Sequence, residues 1–154
     1  MGNLNNIPNY KISDKLLRDD SKRKVKLYPQ TCNICGHKVI YTSNSEIYGR
    51  EYGSGKCYLC TNPDCRAYVG THEPRPMEAF GLLADEQMRK ARNECHAVFD
   101  EHWKHAKTSK DRKKLRKKCY EKLATDLGIL VEECHFGWFD IIMLQKAYDA
   151  MMKW

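Results

Sequence analysis

Four cysteines in the first half of the chain have the spacing of a metal site. Cys32 and Cys35 are two residues apart and are followed by Gly36, while Cys60 and Cys65 are separated by a turn-forming Thr-Asn-Pro-Asp segment. Zinc prefers four soft ligands in a tetrahedron, and a Cys-x-x-Cys turn presents two thiolates to one ion. Glycine after such a turn reaches the left-handed backbone conformation at little cost. The pattern therefore predicts one structural zinc ion, Zn²⁺, bound by these four thiolates.

A fifth cysteine leaves the ligand set open. Cys57 lies three residues before Cys60, so these two also form a Cys-x-x-Cys pair. The alternative set replaces Cys65 with Cys57, and buried thiols without metal are a further interpretation. Four cysteine ligands leave no coordination position for water or substrate, which is typical of a structural ion rather than a catalytic one. We therefore expect no small-molecule substrate at this site.

Histidines in the second half raise the alternative of a metal-dependent nuclease. His96, His102 and His105 lie in one predicted helix, and His135 follows Cys134. A histidine near a carboxylate can act as a general base. The sequence nevertheless contains no nuclease signature, phosphate-binding glycine loop or nucleophile elbow. We expect His96 and His135 to make local hydrogen bonds, and we predict that the chain is not an enzyme.

Positive charge is concentrated in one segment of the chain. The net charge is +7, and residues 101–122 contain ten basic and three acidic residues. Clustered lysines attract anionic partners, most often nucleic acid. A solvated helix face and a docking surface for an acidic host or defence protein are the alternatives. The candidate phosphate contacts are Lys110, Lys113, Lys114, Lys117 and Lys118.

Tyrosines accompany basic residues around the glycine-rich turns of the cysteine-bearing region. Tyr48, Arg50 and Tyr52 are the candidate nucleic-acid contacts there, because exposed aromatic rings beside cations can stack on unpaired bases. We expect Tyr41 and Tyr68 to serve the small core instead. DNA binding, or nucleic-acid binding in general, is thus the predicted role, and binding to a host or defence protein is the second hypothesis.

The elements that must position these residues indicate an α+β fold. Residues 1–26 are predicted to be a polar, basic lead-in, residues 27–74 a zinc ribbon of short antiparallel strands, and residues 75–154 a three-helix unit. The strand predictions are 38–42, 56–60 and 66–69, which are rich in β-branched and aromatic residues. Apolar residues recur at three- and four-residue steps in three later segments. The predicted helix caps are Asp85, Ser109, Gly128 and Asp140.

Several motifs together resemble a known family. These motifs are Cys32-x-x-Cys35-Gly36, Ser45-Glu-Ile-Tyr-Gly-Arg50-x-Tyr52-Gly53, Cys65-x-Ala67-Tyr68-Val69-Gly70-x-His72, Gly81-x-Leu83-Ala84-Asp85, Arg89, Arg92, His96-x-x-Phe99-Asp100-x-x-Trp103 and Cys134-His-Phe-Gly-Trp-Phe-Asp140. Through them the chain is similar, over roughly residues 30–152, to the "zinc-finger-containing domain" family of unknown function, found mainly in bacteriophages and prophages. The resemblance implies a zinc ribbon followed by helices, an origin in a bacteriophage or another mobile element, and no established activity.

Hydropathy and cysteine content indicate the cellular compartment of the protein. We see no apolar run near eighteen residues, so we expect no membrane partner. The polar start has no apolar core of a secretory signal. Disulfides rarely persist in the cytoplasm, so eight cysteines there suggest metal ligands or buried thiols. We predict a cytoplasmic protein of a bacterial host cell.

Overall fold

The computed structural model describes residues 26–154. The predicted lead-in, residues 1–26, lies outside this range apart from its last residue. The chain divides into two compact units, with the division after Asp85. We refer to the described part of the first, residues 26–85, as the sheet unit and to residues 86–154 as the helical unit. This architecture confirms the predicted α+β class, with a small antiparallel sheet before the helices.

The sheet unit contains three short antiparallel strands in the order β1-β2-β3. They are β1 (Val39–Ser43), β2 (Lys56–Cys60) and β3 (Tyr68–Gly70). Tyr58 of β2 lies opposite Tyr41 on one side and opposite Val69 on the other. Since β2 is the central strand, its last four residues are all buried. A four-residue helix, α1 (Ser45–Tyr48), follows β1, and the sequence pattern did not predict it.

Residues 75–85, which follow the predicted end of the ribbon, are part of the sheet unit. The Tyr41 hydroxyl donates to the Pro76 carbonyl at 2.8 Å, and the Tyr58 hydroxyl donates to the Met77 carbonyl at 2.6 Å. Ala84 pairs with Tyr68 across an antiparallel bridge. The two hydroxyl groups thus hold the segment against the sheet. The sheet unit therefore extends beyond residue 74 to Asp85.

The helical unit packs three helices around one core. They are α2 (Glu86–Glu101), α3 (Ser109–Leu127) and α4 (Ile141–Met151), and two 3₁₀ turns, Val131–Glu133 and Phe136–Trp138, connect α3 to α4. The core lies between the helices and the turns, and it includes three cysteines. Its buried members are Cys95, Phe99, Cys119, Leu123, Ala124, Cys134, Phe136, Phe139, Leu144, Ala147 and Met151.

Two of the predicted helix caps are confirmed, and a third is shifted by one residue. The Asp140 carboxylate accepts the Met143 N–H at 2.8 Å, which confirms it as the α4 N-cap. Gly128 ends α3 with φ 68°, in the left-handed conformation expected of it. The N-cap of α3 is Thr108 rather than Ser109, since the Thr108 hydroxyl accepts from Asp111. No helix in the described part of the chain has the length and apolarity needed to cross a membrane.

The two halves of α3 differ in burial. Cys119, Leu123 and Ala124 are buried, whereas Leu115, one helical turn before Cys119, is 37% exposed. The apolar face of α3 therefore begins near Cys119, and the preceding turns face solvent. This division matters because the lysine-rich segment coincides with the exposed half.

Candidate metal centre

The first pair of cysteines sits in a tight turn before β1. The Gly36 N–H donates to the Cys32 carbonyl at 2.9 Å, and the Cys32 N–H donates to the His37 carbonyl at 2.8 Å. Gly36 has φ 79°, a conformation that glycine adopts without a steric penalty. The Ile34 N–H lies 3.4 Å from the Cys32 sulfur, as expected for a thiolate ligand that accepts backbone hydrogen bonds. The turn thus directs both thiols to one side.

The second pair begins at the end of β2. Cys60 is the last residue of that strand, and the N–H groups of Cys65 and Arg66 both donate to the Asn62 carbonyl. The Asn62 side chain accepts the Asp64 N–H at 3.0 Å, which closes an Asx turn. Arg66 has φ 49° and is the one non-glycine residue with positive φ in the described chain. It holds the position after its cysteine that Gly36 holds in the first turn.

The two turns bring four sulfur atoms together. The Sγ atoms of Cys32, Cys35, Cys60 and Cys65 all lie within 4.8 Å of one another. Cys32 Sγ is 3.9 Å from Cys65 Sγ, and Cys35 Sγ is 3.4 Å from Cys60 Sγ. A tetrahedron with Zn–S bonds of about 2.3 Å has sulfur–sulfur edges of about 3.8 Å. The donor set and spacing fit zinc, and the four cysteines form a single zinc-binding site.

The strand geometry removes the alternative ligand Cys57 from this cluster. Cys57 and Cys60 are three residues apart on β2, so their side chains point to opposite faces of the sheet. The Cys57 sulfur lies 4.0 Å from the Ser43 carbonyl oxygen instead. Burial raises the pKa of Cys57 to about 12, so this thiol stays protonated at neutral pH. Cys65 therefore completes the site, and Cys57 is a buried thiol.

Asn33, inside the first turn, supports the site in a way that the sequence did not reveal. Its amide nitrogen donates to the Leu83 carbonyl and its amide oxygen accepts the Leu83 N–H, both at 2.9 Å. This pair of bonds ties the cysteine turn to the last segment of the sheet unit. The sequence shows only an asparagine between two ligands, and no sequence pattern predicts its partner, which lies fifty residues away.

The thiols of the metal-free site have uneven proton affinities. Hydrogen bonding from the His37 backbone lowers the pKa of Cys35 to about 6. Burial raises the pKa of Cys60 to about 12, and burial also raises that of Cys65. Zinc binds thiolates, so binding at neutral pH must displace the protons of Cys60 and Cys65.

Zinc affinity is accordingly expected to fall as the pH is lowered. With at least two protons displaced per ion, the affinity should drop by about a hundredfold or more for each pH unit. A competition titration against a chromophoric chelator between pH 6 and pH 8 measures this slope. Proton release into a weakly buffered solution with an indicator dye is the control measurement. An affinity that does not change over this range would contradict the assignment of protonated thiols.

The histidines do not join a second cluster. Within residues 26–154, the four cysteines are the one group of three or more possible ligand side chains close enough to share a metal. His96 packs against the Phe136 ring, and burial lowers its pKa. His105 contacts the Glu101 carboxylate at 2.8 Å, and His102 packs against Trp154. The His105 contact is a local hydrogen bond, whereas His96 and His102 pack against rings of residues distant in the sequence, so within the described chain His96 does not make the local hydrogen bond predicted for it.

The lysine-rich segment lies on the exposed half of α3. All five candidate lysines are exposed, and none makes an ion pair with a carboxylate among the described residues. The two arginines between them are engaged within the unit. Arg112 donates to the Ala106 carbonyl at 2.9 Å, and the Arg116 guanidinium lies over Trp103 and Tyr120. In this segment the arginines therefore make contacts within the helical unit, whereas the lysines are exposed.

The predicted ribbon contacts form a compact group on the sheet unit. Tyr48 and Tyr52 are 49% and 47% exposed, and their ring centroids lie 5.5 Å apart. The Arg50 guanidinium lies 4.5 Å from the Tyr52 centroid. The predicted exposure of both tyrosines is confirmed. Tyr41 and Tyr68, predicted as core residues, are only partly buried, and Tyr58 is the buried tyrosine of the sheet.

Comparison with known proteins agrees with this geometry. Searches of curated proteins and of solved structures found no match. A family model described as a zinc-finger-containing domain matches residues 28–154, which include every ligand of the site and both units. The origin in a phage or prophage stays a prediction. On the match and the four-cysteine cluster together, this chain belongs to the zinc-finger-containing domain family.

Proposed function

We propose that this chain is a non-catalytic zinc-ribbon protein that binds nucleic acid through the lysines of α3 and the exposed aromatics of the sheet unit. The observation that carries the proposal is the arrangement of five lysines on one side of a helix. Consecutive helical residues are about 100° apart, so the five fall within an arc of about 140°. They are Lys110, Lys113, Lys114, Lys117 and Lys118.

The lysine arc suits a polyanion in both length and direction. From Lys110 to Lys118 the helix rises about 12 Å. The buried residues Cys119 and Leu123 lie outside this arc, on the side of α3 that contacts the core. The ammonium groups can thus reach a ligand without disturbing the packing of the unit.

The arginines of the same segment support a binding role by fixing the helix. Arg112 donates to the carbonyls of Ala106 and Lys107 and to the Ser109 hydroxyl, which holds the start of α3. Arg116 stacks over aromatic rings at 5.5 and 5.4 Å from their centroids. Arginine stacks on rings better than lysine does, whereas lysine is a mobile point charge. A rigid helix with mobile cations suits phosphate contacts.

Electrostatics also favour a bound anion. Like charges at three- and four-residue spacing repel one another and destabilise the helix. A polyanion would relieve this repulsion, and each neutralised phosphate would release counterions. Tyr48, Arg50 and Tyr52 would add base or backbone contacts, since exposed rings beside a guanidinium are typical of nucleic-acid surfaces. The four-cysteine site holds the fold of the sheet unit and takes no part in binding chemistry.

Replacing Lys113 and Lys117 together with alanine is expected to weaken nucleic-acid binding about tenfold near 0.1 M salt. The slope of log affinity against log salt should fall by about two, because two phosphate contacts are lost. Fluorescence anisotropy of zinc-loaded protein with labelled DNA and RNA, at several salt concentrations, measures both quantities. The matched control replaces Lys146 and Lys153 of the C-terminal region with alanine. Both are also exposed, and the change removes the same charge.

Equal losses in the two double variants would indicate non-specific charge attraction and contradict a site on α3. Lack of binding at low salt would contradict the whole proposal. The lysine arc would then be a docking surface for an acidic protein, and capture of a specific protein from nuclease-treated lysate would be its test.

A further inference from the structure

Two histidine-containing motifs meet within the helical unit, and the proposed function uses neither. His96 of α2 packs against Phe136 of the second 3₁₀ turn, with ring centroids 4.8 Å apart. The Phe136 centroid lies 5.5 Å from that of Phe99, which lies 4.5 Å from that of Tyr120 on α3. His135, the residue before Phe136, lies 6.1 Å from Tyr120. The two imidazoles therefore border one aromatic cluster, which we define as Phe99, Tyr120 and Phe136.

Arg116 places a guanidinium group beside the same aromatic cluster. Its Cζ atom lies 5.4 Å from the Tyr120 centroid and 5.5 Å from the Trp103 centroid. A guanidinium group has five N–H donors. Within the described chain, the hydrogen bond that Arg116 makes with its side chain runs from Nη2 to the Tyr120 hydroxyl at 3.4 Å. Because Arg116 is also exposed, most of its donors are available to a ligand.

The two histidines add donors that the fold does not use. His96 and His135 are exposed, and their ring nitrogens make no hydrogen bond or ion pair within residues 26–154. A neutral imidazole offers one N–H donor, and an imidazolium offers two. The Tyr120 hydroxyl accepts from Arg116 and can still donate its own proton. Four side chains around one aromatic cluster thus present hydrogen-bond donors.

The charges that act on His96 are two cations and one carboxylate. Burial is the main cause that lowers its pKa; Asp100 raises the pKa, and the positive charges of Arg116 and Arg92 lower it. Since such effects weaken with distance, His96 lies near both guanidinium groups. The Asp100 carboxylate already accepts the Trp103 indole N–H at 2.9 Å. Positive charge therefore outweighs negative charge around this imidazole.

We propose that Arg116, His96 and His135 bind a phosphate group, with the Tyr120 hydroxyl as a further donor. An ionised phosphate ester presents acceptor oxygens, and its bonds to arginine and histidine are strong because both partners are charged. A metal cation would be repelled by the guanidinium groups. The site is separate from the lysine arc, since Arg116 lies about 130° around α3 from the middle of that arc.

Phosphate binding is expected to raise the pKa of His96. The anion offsets the positive charge of Arg116 and stabilises the imidazolium form, and Asp100 acts in the same direction. A ring that only packs against Phe136 would not respond to phosphate in this way. The pKa of His96, measured with and without phosphate, therefore distinguishes a binding role from a structural one.

The test follows the histidine side chains of full-length, zinc-loaded protein by two-dimensional NMR while inorganic phosphate is added. The signals of His96 and His135 should move together and saturate, and sodium chloride at equal ionic strength should not reproduce the change. Arg116→Gln should weaken binding at least about tenfold. The matched control is Lys122→Gln, because Lys122 of α3 also lies 5.5 Å from a tryptophan centroid, that of Trp154. Circular dichroism verifies that both variants are folded.

Thymidine monophosphate and a single-stranded oligonucleotide distinguish the source of the phosphate group. Saturation by inorganic phosphate or by the mononucleotide supports a site for a free phosphate group. A response to the oligonucleotide alone, lost in Arg116→Gln, supports a contact with the nucleic-acid backbone. Signals of His96 and His135 that respond to none of the three ligands, or that respond equally in Arg116→Gln, overturn the site. The proposed function would survive that result, since it rests on lysines outside the site.

Discussion

Replacing Cys60 with serine is expected to abolish zinc binding and to unfold the sheet unit. The cysteine is fully buried at the end of the central strand, and a serine hydroxyl is a poor zinc ligand. Binding free energies of structural zinc in small domains are about 10–16 kcal/mol at neutral pH, and they act as folding free energy. The measurement is metal analysis of purified protein combined with amide dispersion in a two-dimensional NMR spectrum.

Cys57→Ala is the matched control, because it removes a buried thiol of the same strand that is not a ligand. It should retain about one zinc per chain and lose only the packing of a small side chain. Helical circular dichroism should persist in both variants, since the core of the helical unit contains no metal ligand. A Cys60→Ser protein with one zinc per chain would disprove the ligand set.

Replacing Phe99 with alanine is expected to destabilise the helical unit by about 3–5 kcal/mol. The side chain is fully buried, and its ring centroid lies 4.5 Å from Tyr120, 5.5 Å from Phe136 and 6.5 Å from Trp154. The cavity would border all three rings. Since domains are stable by about 5–15 kcal/mol, such a loss approaches the total.

Urea unfolding followed by helical circular dichroism measures this loss. Ile142→Ala on α4 is the control, because that side chain is 65% exposed and loses little burial. A Phe99→Ala protein within about 1 kcal/mol of the wild type would show that the ring is not central to the core.

The metal ligands could be predicted from the sequence because the ligands of a structural zinc ion follow a local pattern of spacing. Paired cysteines with turn residues between or after them can be recognised without knowledge of the fold. The choice between Cys57 and Cys65 needed one further step. The predicted strand 56–60 already implied that residues three apart face opposite sides, and this parity excludes Cys57.

Other features depended on contacts between distant residues. Such contacts arise only when separate segments of the chain meet. They include the Asn33–Leu83 hydrogen bonds, the Tyr41–Pro76 hydrogen bond and the position of Phe80 over Gly70. The predicted N-cap of α3 was wrong by one residue, because Thr108 and Ser109 are both good caps and local chemistry does not distinguish them.

The arginine in left-handed conformation at the second cysteine turn bears on how such sites are recognised. Gly36 and Arg66 follow their cysteines in the same backbone region, with φ 79° and 49°. Glycine reaches that region easily, whereas an arginine there is strained by about 1–3 kcal/mol and must be held by its surroundings. Bonds to one bound ion can supply that restraint. A search motif that demands glycine after each cysteine pair would therefore find only half of this site, and cysteine spacing is the better criterion.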